Sequence, residues 1–242
     1  MRIGVTGLTG RMGRLVAEEV DASAAERSQA DRIEALAAAS DVVIDFTHAV
    51  TVIDHAAALA NAGCSWVLGT TGLDDAAQAA VDRASSRIAV VQAANFSPGV
   101  NLVLAIAARL AAALPSDEYD AEILELHHRQ KVDAPSGTAL ALGQAVARGR
   151  NVDLSTVMQA GRDGHTGPRA DGAIGFSAMR GGQVVGEHTL LFAAGTEHIA
   201  LTHRAFDRRV FARGALRAAF WADGRGPGLY SMADVLGMND PR

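Results

Sequence analysis

A short apolar run, Ile3 to Thr6, breaks at Gly7-Leu8-Thr9-Gly10-Arg11-Met12-Gly13 and gives way to a helical pattern through Leu15, Val16 and Val20. Strand, glycine turn and helix in that order restrict the fold more than any other feature of the chain, because parallel strands need a long crossover between them and a helix is the usual one. The order recurs. Asp41 to Thr47 is a β-branched run followed by a helical pattern over Val52 to Ala62. Trp66-Val67-Leu68 ends in Gly69-Thr70-Thr71-Gly72 before a helix from about Asp74 to Ala84, and Ile88 to Gln92 ends in Ala93-Ala94-Asn95-Phe96-Ser97. Near-continuous apolar strands of this kind are buried on both faces. The expectation is an α/β chain with an open parallel sheet of the Rossmann type, whose ligands bind outside the carboxyl ends of the strands. All of these small and polar turns fall at that edge. Gly7 permits the tight turn, Gly10 lets the backbone approach a pyrophosphate, and Gly13 lets the helix pack closely on the strand.

Between Asp21 and Ser40 the pattern departs from that plan. A second strand should end, about twenty residues past the glycines, in an acid that binds ribose hydroxyls. No β-rich run is visible there; Ala30 to Ala39, with Ile33 and Leu36 on one face, reads as a helix, and the first domain is expected to be shortened over 21–40. Glu26-Arg27 could take the place of the ribose contacts or could belong to a solvated loop.

Charge and composition enter mainly by exclusion. A net charge of -5 argues against a nucleic acid or an anionic membrane as main partner, since both need a broad basic surface. No window reaches the roughly 18 apolar residues of a membrane span. The one cysteine, Cys64, reads as a small buried hydrophobe, and a cytoplasmic location is the default.

Pro98 opens a long helix that ends near Leu114-Pro115, where a second domain is expected. Its strands are placed at Tyr119 to Leu126, near Val157, and at Ile174 to Arg180, Val184 to Phe192 and Glu197 to His203, mostly antiparallel by their short turns. The glycine-rich segment from Gln159 to Gly172, with Arg162 and Arg169, reads as an ordered loop or lid. The densest titratable chemistry lies from Glu125 to Thr138: two histidines, an arginine and a lysine after an apolar strand, then Pro135 and Ser136. Ser136 is placed to N-cap a helix beginning at Gly137, whose free N–H groups suit an anion. Because alternate strand residues face opposite ways, His127 and His128 reach one ligand only if the strand ends at or before them.

That stretch resembles the dihydrodipicolinate reductase signature Glu-x-His-His-x-x-Lys-x-Asp-Ala-Pro-Ser-Gly-Thr-Ala, and each fixed position is present through Ala139. The resemblance extends to Gly-x-x-Gly-Arg-Met-Gly at Gly7 to Gly13 and to the terminal segment Gly228 to Gly237. It implies reduction of a cyclic imine dicarboxylate, derived from 4-hydroxy-tetrahydrodipicolinate, to tetrahydrodipicolinate by NADH or NADPH in diaminopimelate and lysine biosynthesis. It implies His127 and Lys131 as catalytic residues and His128, Gly137 and Thr138 as substrate contacts. Gly7, Leu8, Thr9, Gly10, Arg11 and Met12, then Gly69, Thr70 and Thr71, and Ala93, Ala94, Asn95 and Phe96 are the implied cofactor contacts, with no metal. Residues 1–97 and 207–242 are the expected dinucleotide-binding domain, and 98–206 the substrate-binding and oligomerisation domain of a homotetramer, the two closing about residues 97 and 206. His188 and His203 are expected as packing residues. The rivals are another two-domain nicotinamide oxidoreductase and a regulator that binds a dinucleotide without turnover.

Overall fold

The computed structural model describes residues 1–238; residues 239–242, which the domain assignment above included, lie outside the described residues. The chain forms two compact units, Met1–Pro98 with the chain from Arg208 onward, and Gly99–Asp207. In chain order the first half contains β1 (Arg2–Thr6), α1 (Arg11–Asp21), β2 (Glu26–Ser28), α2 (Ile33–Ala39), β3 (Val42–Asp45), α3 (Val52–Ala62), β4 (Ser65–Leu68), α4 (Asp75–Ser85) and β5 (Ala89–Gln92). There follow α5 (Pro98–Ala113), β6 (Asp120–His127), α6 (Gly137–Gly149), α7 (Leu154–Val157), β7 (Met158–Ala160), β8 (Ile174–Arg180), β9 (Gly186–Ala193) and β10 (His198–Ala205). The chain returns through α8 (Arg209–Ala222), β11 (Gly228–Tyr230) and α9 (Met232–Val235).

The first unit is a parallel sheet in the order β11-β5-β4-β3-β1-β2. Apolar side chains leave both faces of its central strands, and helices cover both. Ile44 and Val67 pack with Val16, Val20, Ala215 and Ala219 of α1 and α8 on one side. Val43, Trp66 and Val90 pack with Leu36, Leu59 and Val81 of α2, α3 and α4 on the other. Each fully buried aliphatic side chain here contributes about 1.5–3 kcal/mol.

One expectation is corrected. The region between Asp21 and Ser40 does contain a strand: Glu26, Arg27 and Ser28 pair with Arg2, Ile3 and Gly4. Its side chains are exposed or half-buried and none is β-branched, so side-chain periodicity carries no trace of it. Backbone pairing to β1 and a bond from Ser28 Oγ to the Ala39 carbonyl, 2.8 Å, hold it instead. The sequence is therefore short in this region without lacking the element.

The second unit has a mixed sheet in the order β10-β9-β6-β8-β7. Pairing is antiparallel along β10-β9-β6, where short turns connect β9 to β10, and parallel along β6-β8-β7. The parallel half follows from the long crossover through α6 and α7, which sequence turns alone did not indicate. Ile123, Phe176, Leu190 and Phe192 face Ala107 of α5 and Leu142 and Val146 of α6. The glycine-rich segment is tied to β6: Arg162 donates to both oxygens of Glu122 at 3.0 and 2.8 Å. Arg169 reaches Glu122 and Asp120, each at 2.8 Å.

The α1–β1 approach generates a test. An added Cβ on Gly13 would lie 2.1 Å from the Gly7 carbonyl oxygen, a backbone atom that cannot step aside without moving the turn. Gly13→Ala is expected to destabilise the first unit by about 1–3 kcal/mol, the usual range for overpacking. A lowered thermal midpoint together with weakened dinucleotide binding checks this; an unchanged midpoint contradicts it.

Candidate active site

In the first unit the carboxyl ends of β1, β3, β4 and β5 carry the segments singled out by sequence. Gly7 has φ 74°, in the left-handed region that favours glycine. The Gly10 N–H donates to the Gly7 carbonyl at 2.9 Å, closing the turn. Arg14 folds back to donate to the carbonyls of Leu8 at 3.3 Å and Thr9 at 3.1 Å, which braces the loop from behind. No side chain caps α1, so its first N–H groups stay open to an anion, with Arg11 exposed beside them. Met12 instead packs toward the core.

Gly69 is pressed against the Phe46 ring, where an added Cβ would come within 2.3 Å. Thr70 beside it is buried, and its hydroxyl has no hydrogen-bond partner among the described residues. Buried hydroxyl groups are normally paired, so this one stands out at the carboxyl edge of the sheet. At the end of β5, the Ala93 N–H donates to the Leu68 carbonyl at 3.2 Å, and Asn95 Oδ1 accepts from the Ser97 N–H at 2.8 Å. The Phe96 ring is in the core, edge-on to Phe46 with centroids 5.7 Å apart, so only its backbone is left for a cofactor role.

Sequence reasoning missed the group that gathers these turns, Asp45 at the end of β3. It is fully buried, accepting from Thr6 Oγ1 at 2.9 Å, from the Thr47 N–H at 3.0 Å and from Thr47 Oγ1 at 2.6 Å. His55 Nδ1 of α3 meets its other oxygen at 2.7 Å. Burial alone would raise the Asp45 carboxyl, but the bonds from His55, Thr47 and Thr6 hold it below its ordinary range. The signal was an acid ending an otherwise apolar strand.

In the second unit β6 ends at His127, as the face argument required, and His128 enters a turn closed by the Lys131 N–H to the His128 carbonyl at 3.1 Å. The turn is held against the β8–β9 connection, with the His128 N–H on the Val184 carbonyl at 2.8 Å. Alternation places Glu125 and His127 on the inward face together. Glu125 accepts a hydrogen bond from His127 Nδ1 at one oxygen. Its other oxygen takes Arg180 of β8 at 2.8 Å and the Ser136 N–H at 3.1 Å. Ser136 caps α6 as expected, its Oγ accepting from the Ala139 N–H at 3.2 Å, and the same Oγ lies 3.1 Å from Nε2 of His188. The His188 ring stands edge-on to His127, centroids 5.0 Å apart. Cross-strand register lines up Glu125, His188 and His203 on β6, β9 and β10.

The electrostatics follow from this packing. Burial pushes the Glu125 carboxyl up, and Arg180 and His127 more than reverse it, leaving it below the ordinary range. Burial lowers His127 against the opposing pull of Glu125, with Lys131 and Arg180 lowering it further. His188 is pushed down to about 4, by burial first and then by His127. Lys131 pairs with Asp133 at 2.8 Å. Ligand atoms of Glu125, His127 and His188 lie within 4.8 Å of one another, and the Arg180 guanidinium is already paired with Glu125. Gly137 and Thr138 open α6 immediately after Ser136, so the helix N-terminus adjoins His127 through Glu125. His188 and Arg180 were not picked out as site residues; only pairing register brings them to β6.

Residues 1–96 match the family described as "Dihydrodipicolinate reductase, N-terminus", and residues 99–236 match "Dihydrodipicolinate reductase, C-terminus". The chain is 58% identical over 254 aligned positions to the 4-hydroxy-tetrahydrodipicolinate reductase of Granulibacter bethesdensis, covering 98% of this chain and 97% of that protein. It is 60% identical over 242 positions to that of Acidiphilium cryptum, covering 98% of each. Among solved structures, a dipicolinate-bound dihydrodipicolinate reductase from Paenisporosarcina sp. TG-14 superposes with a TM-score of 0.77 at 22% identity, covering 97% of this chain and 98% of that one, which supports the fold.

The His188 environment makes stability depend on pH. Unfolded, this histidine takes a proton near 6.5; folded, it resists until about 4. Between those values the unfolded chain binds more protons, so stability is full above the window and is lost as pH falls through it. His188→Gln is expected to flatten the fall in thermal midpoint between neutral pH and pH about 5. An identical slope in wild type and variant contradicts the assignment.

Proposed function

The chain belongs to the dihydrodipicolinate reductase family, and on that premise we propose that it reduces 4-hydroxy-tetrahydrodipicolinate to tetrahydrodipicolinate in the diaminopimelate route to lysine. The observation that carries the reading is His127 hung on Glu125 beside the capped start of α6, where a proton donor adjoins an anion-binding helix end. The cofactor is a nicotinamide dinucleotide. The open N-terminus of α1, the Gly7–Gly10 turn and the unpaired Thr70 hydroxyl fit it; Arg11 would meet its phosphates, and the backbone around Ala93 to Asn95 would complete that edge. When bound, the reduced nicotinamide supplies hydride.

This chain's residues do the rest. The N–H groups of Gly137 and Thr138, with the Thr138 hydroxyl, hold a substrate carboxylate, and His128 and Lys131 contact the dicarboxylate from the β6 turn. Hydride addition leaves negative charge that a proton must quench, and His127 delivers that proton while Lys131 stabilises the charge. A dinucleotide-binding regulator drew its support from a missing second strand, and β2 removes that ground. The match of both halves of the chain to the dihydrodipicolinate reductase family argues against another two-domain nicotinamide oxidoreductase. We extend the proposal to the homotetramer: Leu124 and Met179 lie 45% and 47% exposed on the open face of the second sheet, and β10 is an uncovered edge. No described helix is long and apolar enough to cross a membrane, and a cytoplasmic location is part of the same reading.

His127→Ala and Lys131→Ala are each expected to lower turnover with freshly generated substrate by roughly a hundredfold or more. Dinucleotide affinity, read by fluorescence quenching, should stay within about threefold, since those contacts lie in the other unit. Wild-type turnover in either variant would refute the assigned roles.

Cofactor choice moves with β2. Glu26 pairs with Arg2 at the amino end of the sheet, away from the glycine turn, and Arg27 is bound to Asp21 at 2.6 Å, so neither takes the ribose position. The carboxyl end of β2 is Ser28, followed by Gln29-Ala30-Asp31-Arg32, with Asp31 and Arg32 both exposed about twenty residues past the turn. Asp31 suits the free hydroxyls of NADH and Arg32 the 2′-phosphate of NADPH. Dual use is expected, with kcat/KM for the two within about tenfold, roughly 1.4 kcal/mol. Asp31→Asn should shift the ratio toward NADPH and Arg32→Ala toward NADH. Ratios unmoved by both substitutions would place specificity elsewhere.

A further inference from the structure

We propose that Glu125 is the positioning residue of this site, its carboxylate holding the Nδ1–H of His127 so that Nε2 alone takes up and delivers the proton, and that Gly186 lacks a side chain to keep the space before Nε2 open. The proposal rests on the reading of His127 as proton donor. It adds which ring atom acts and what fixes it.

Glu125 is 2% exposed and lies two residues before His127 on the same strand face. One oxygen is taken by the Arg180 guanidinium and the Ser136 N–H, and the guanidinium charge beside it keeps the group an ionised carboxylate that cannot itself donate. The oxygen facing His127 can therefore only accept, and Nδ1 must carry the hydrogen. A neutral imidazole has one N–H; with Nδ1 protonated, Nε2 is the basic atom. The two nitrogens would otherwise compete for the proton, and a ring free to rotate would spend part of its time misaligned.

Nε2 points toward the first residue of β9. A Cβ on Gly186 would stand 3.0 Å from Nε2 and 3.3 Å from Cδ2, tighter than ordinary contact. Gly186 has no left-handed backbone to explain it, since its φ is not among the positive values of the chain. The ring next to it is the remaining reason for glycine. In turnover the Nε2–H bond of the imidazolium breaks, its electron pair stays on the ring and the proton bonds to the atom of the reduced substrate that carries the negative charge. The ring returns to the neutral Nδ1–H form that Glu125 already holds, and water restores the Nε2 proton.

Charged and titratable neighbours of His127 are Glu125 on its own strand, Lys131 in the following turn, Arg180 on β8 and His188 on β9, with His203 on β10 beyond His188. Of these only Glu125 favours the protonated ring. A general acid works while protonated, so turnover falls as pH rises through the His127 pKa; removing the Glu125 charge moves that fall to lower pH.

The test compares Glu125→Gln, Glu125→Asp, Gly186→Ala and His127→Ala with wild type. Glu125→Gln is expected to lower kcat roughly ten- to a hundredfold, with KM and dinucleotide affinity nearly unchanged and the alkaline fall in kcat displaced to lower pH. Glu125→Asp keeps the charge and should return the fall to its wild-type position at a reduced rate. Gly186→Ala leaves Glu125 intact and should lower kcat without displacing the fall. Nitrogen NMR of histidine-labelled wild type, with the His127 signals identified by their loss in His127→Ala, reads the tautomer directly even if a Glu125 variant fails to fold. A wild-type ring protonated at Nε2 rather than Nδ1 in its neutral form overturns the inference, as does a Glu125→Gln enzyme with wild-type kcat and pH dependence. Should His127→Ala itself keep wild-type turnover, the reading of the site falls first. An inactive His127→Ala beside an unaffected Glu125→Gln removes the role of Glu125 alone.

Discussion

Taking a carboxylate out of water costs several kcal/mol unless its partners are close and complete. Glu125 meets that condition at the end of β6 by drawing on separate parts of the chain: Arg180 from β8, the Ser136 N–H from the cap of α6, and His127 two residues ahead. Each partner is pinned in return. The end of the strand, the end of its parallel neighbour and the start of the helix must all arrive in register before the acid is satisfied. Breaking such a pair from one side typically costs 3–5 kcal/mol, so this corner of the second unit is strongly over-determined.

The first unit solves the same problem with Asp45. There the buried acid joins Thr6 at the end of β1, Thr47 after β3 and His55 from α3. The glycine turn follows Thr6 directly, and Phe46, next to Asp45, supplies the surface on which Gly69 and Phe96 pack. A loop proposed to present backbone N–H groups to an anion needs rigid support from beneath. Asp45 and Phe46 provide it, leaving Leu8, Thr9 and Gly10 exposed above.

Cys64 shows the opposite use of burial. Its thiol is pushed up to about 12 by burial first and the nearby Asp41 charge next, which makes it an inert packing group as its isolation in the sequence suggested. Burial that outweighs the nearby favourable charge silences a titratable side chain. Burial with an ionised partner, as at His127, fixes which ring nitrogen meets the carboxylate.

Apolar runs, glycine turns and the Glu125 to Thr138 stretch were legible because each depends on neighbours in sequence: strand burial shows as β-branched runs, a turn as glycine, a cap as Ser136 before Gly137. These determined the α/β class and the separate second sheet, and the family resemblance of the Glu125 to Thr138 stretch pointed to His127 and Lys131. What tertiary structure decided depends on partners far apart in the chain. β2 exists because β1 offers it backbone hydrogen bonds, which no side-chain pattern records. The parallel pairing of β6 with β8 carries Arg180 to Glu125, across a separation of 55 residues, and the antiparallel register with β9 sets His188 against Glu125. Local chemistry is written residue by residue, whereas the state of a proton on His127 depends on charges that only folding brings within reach.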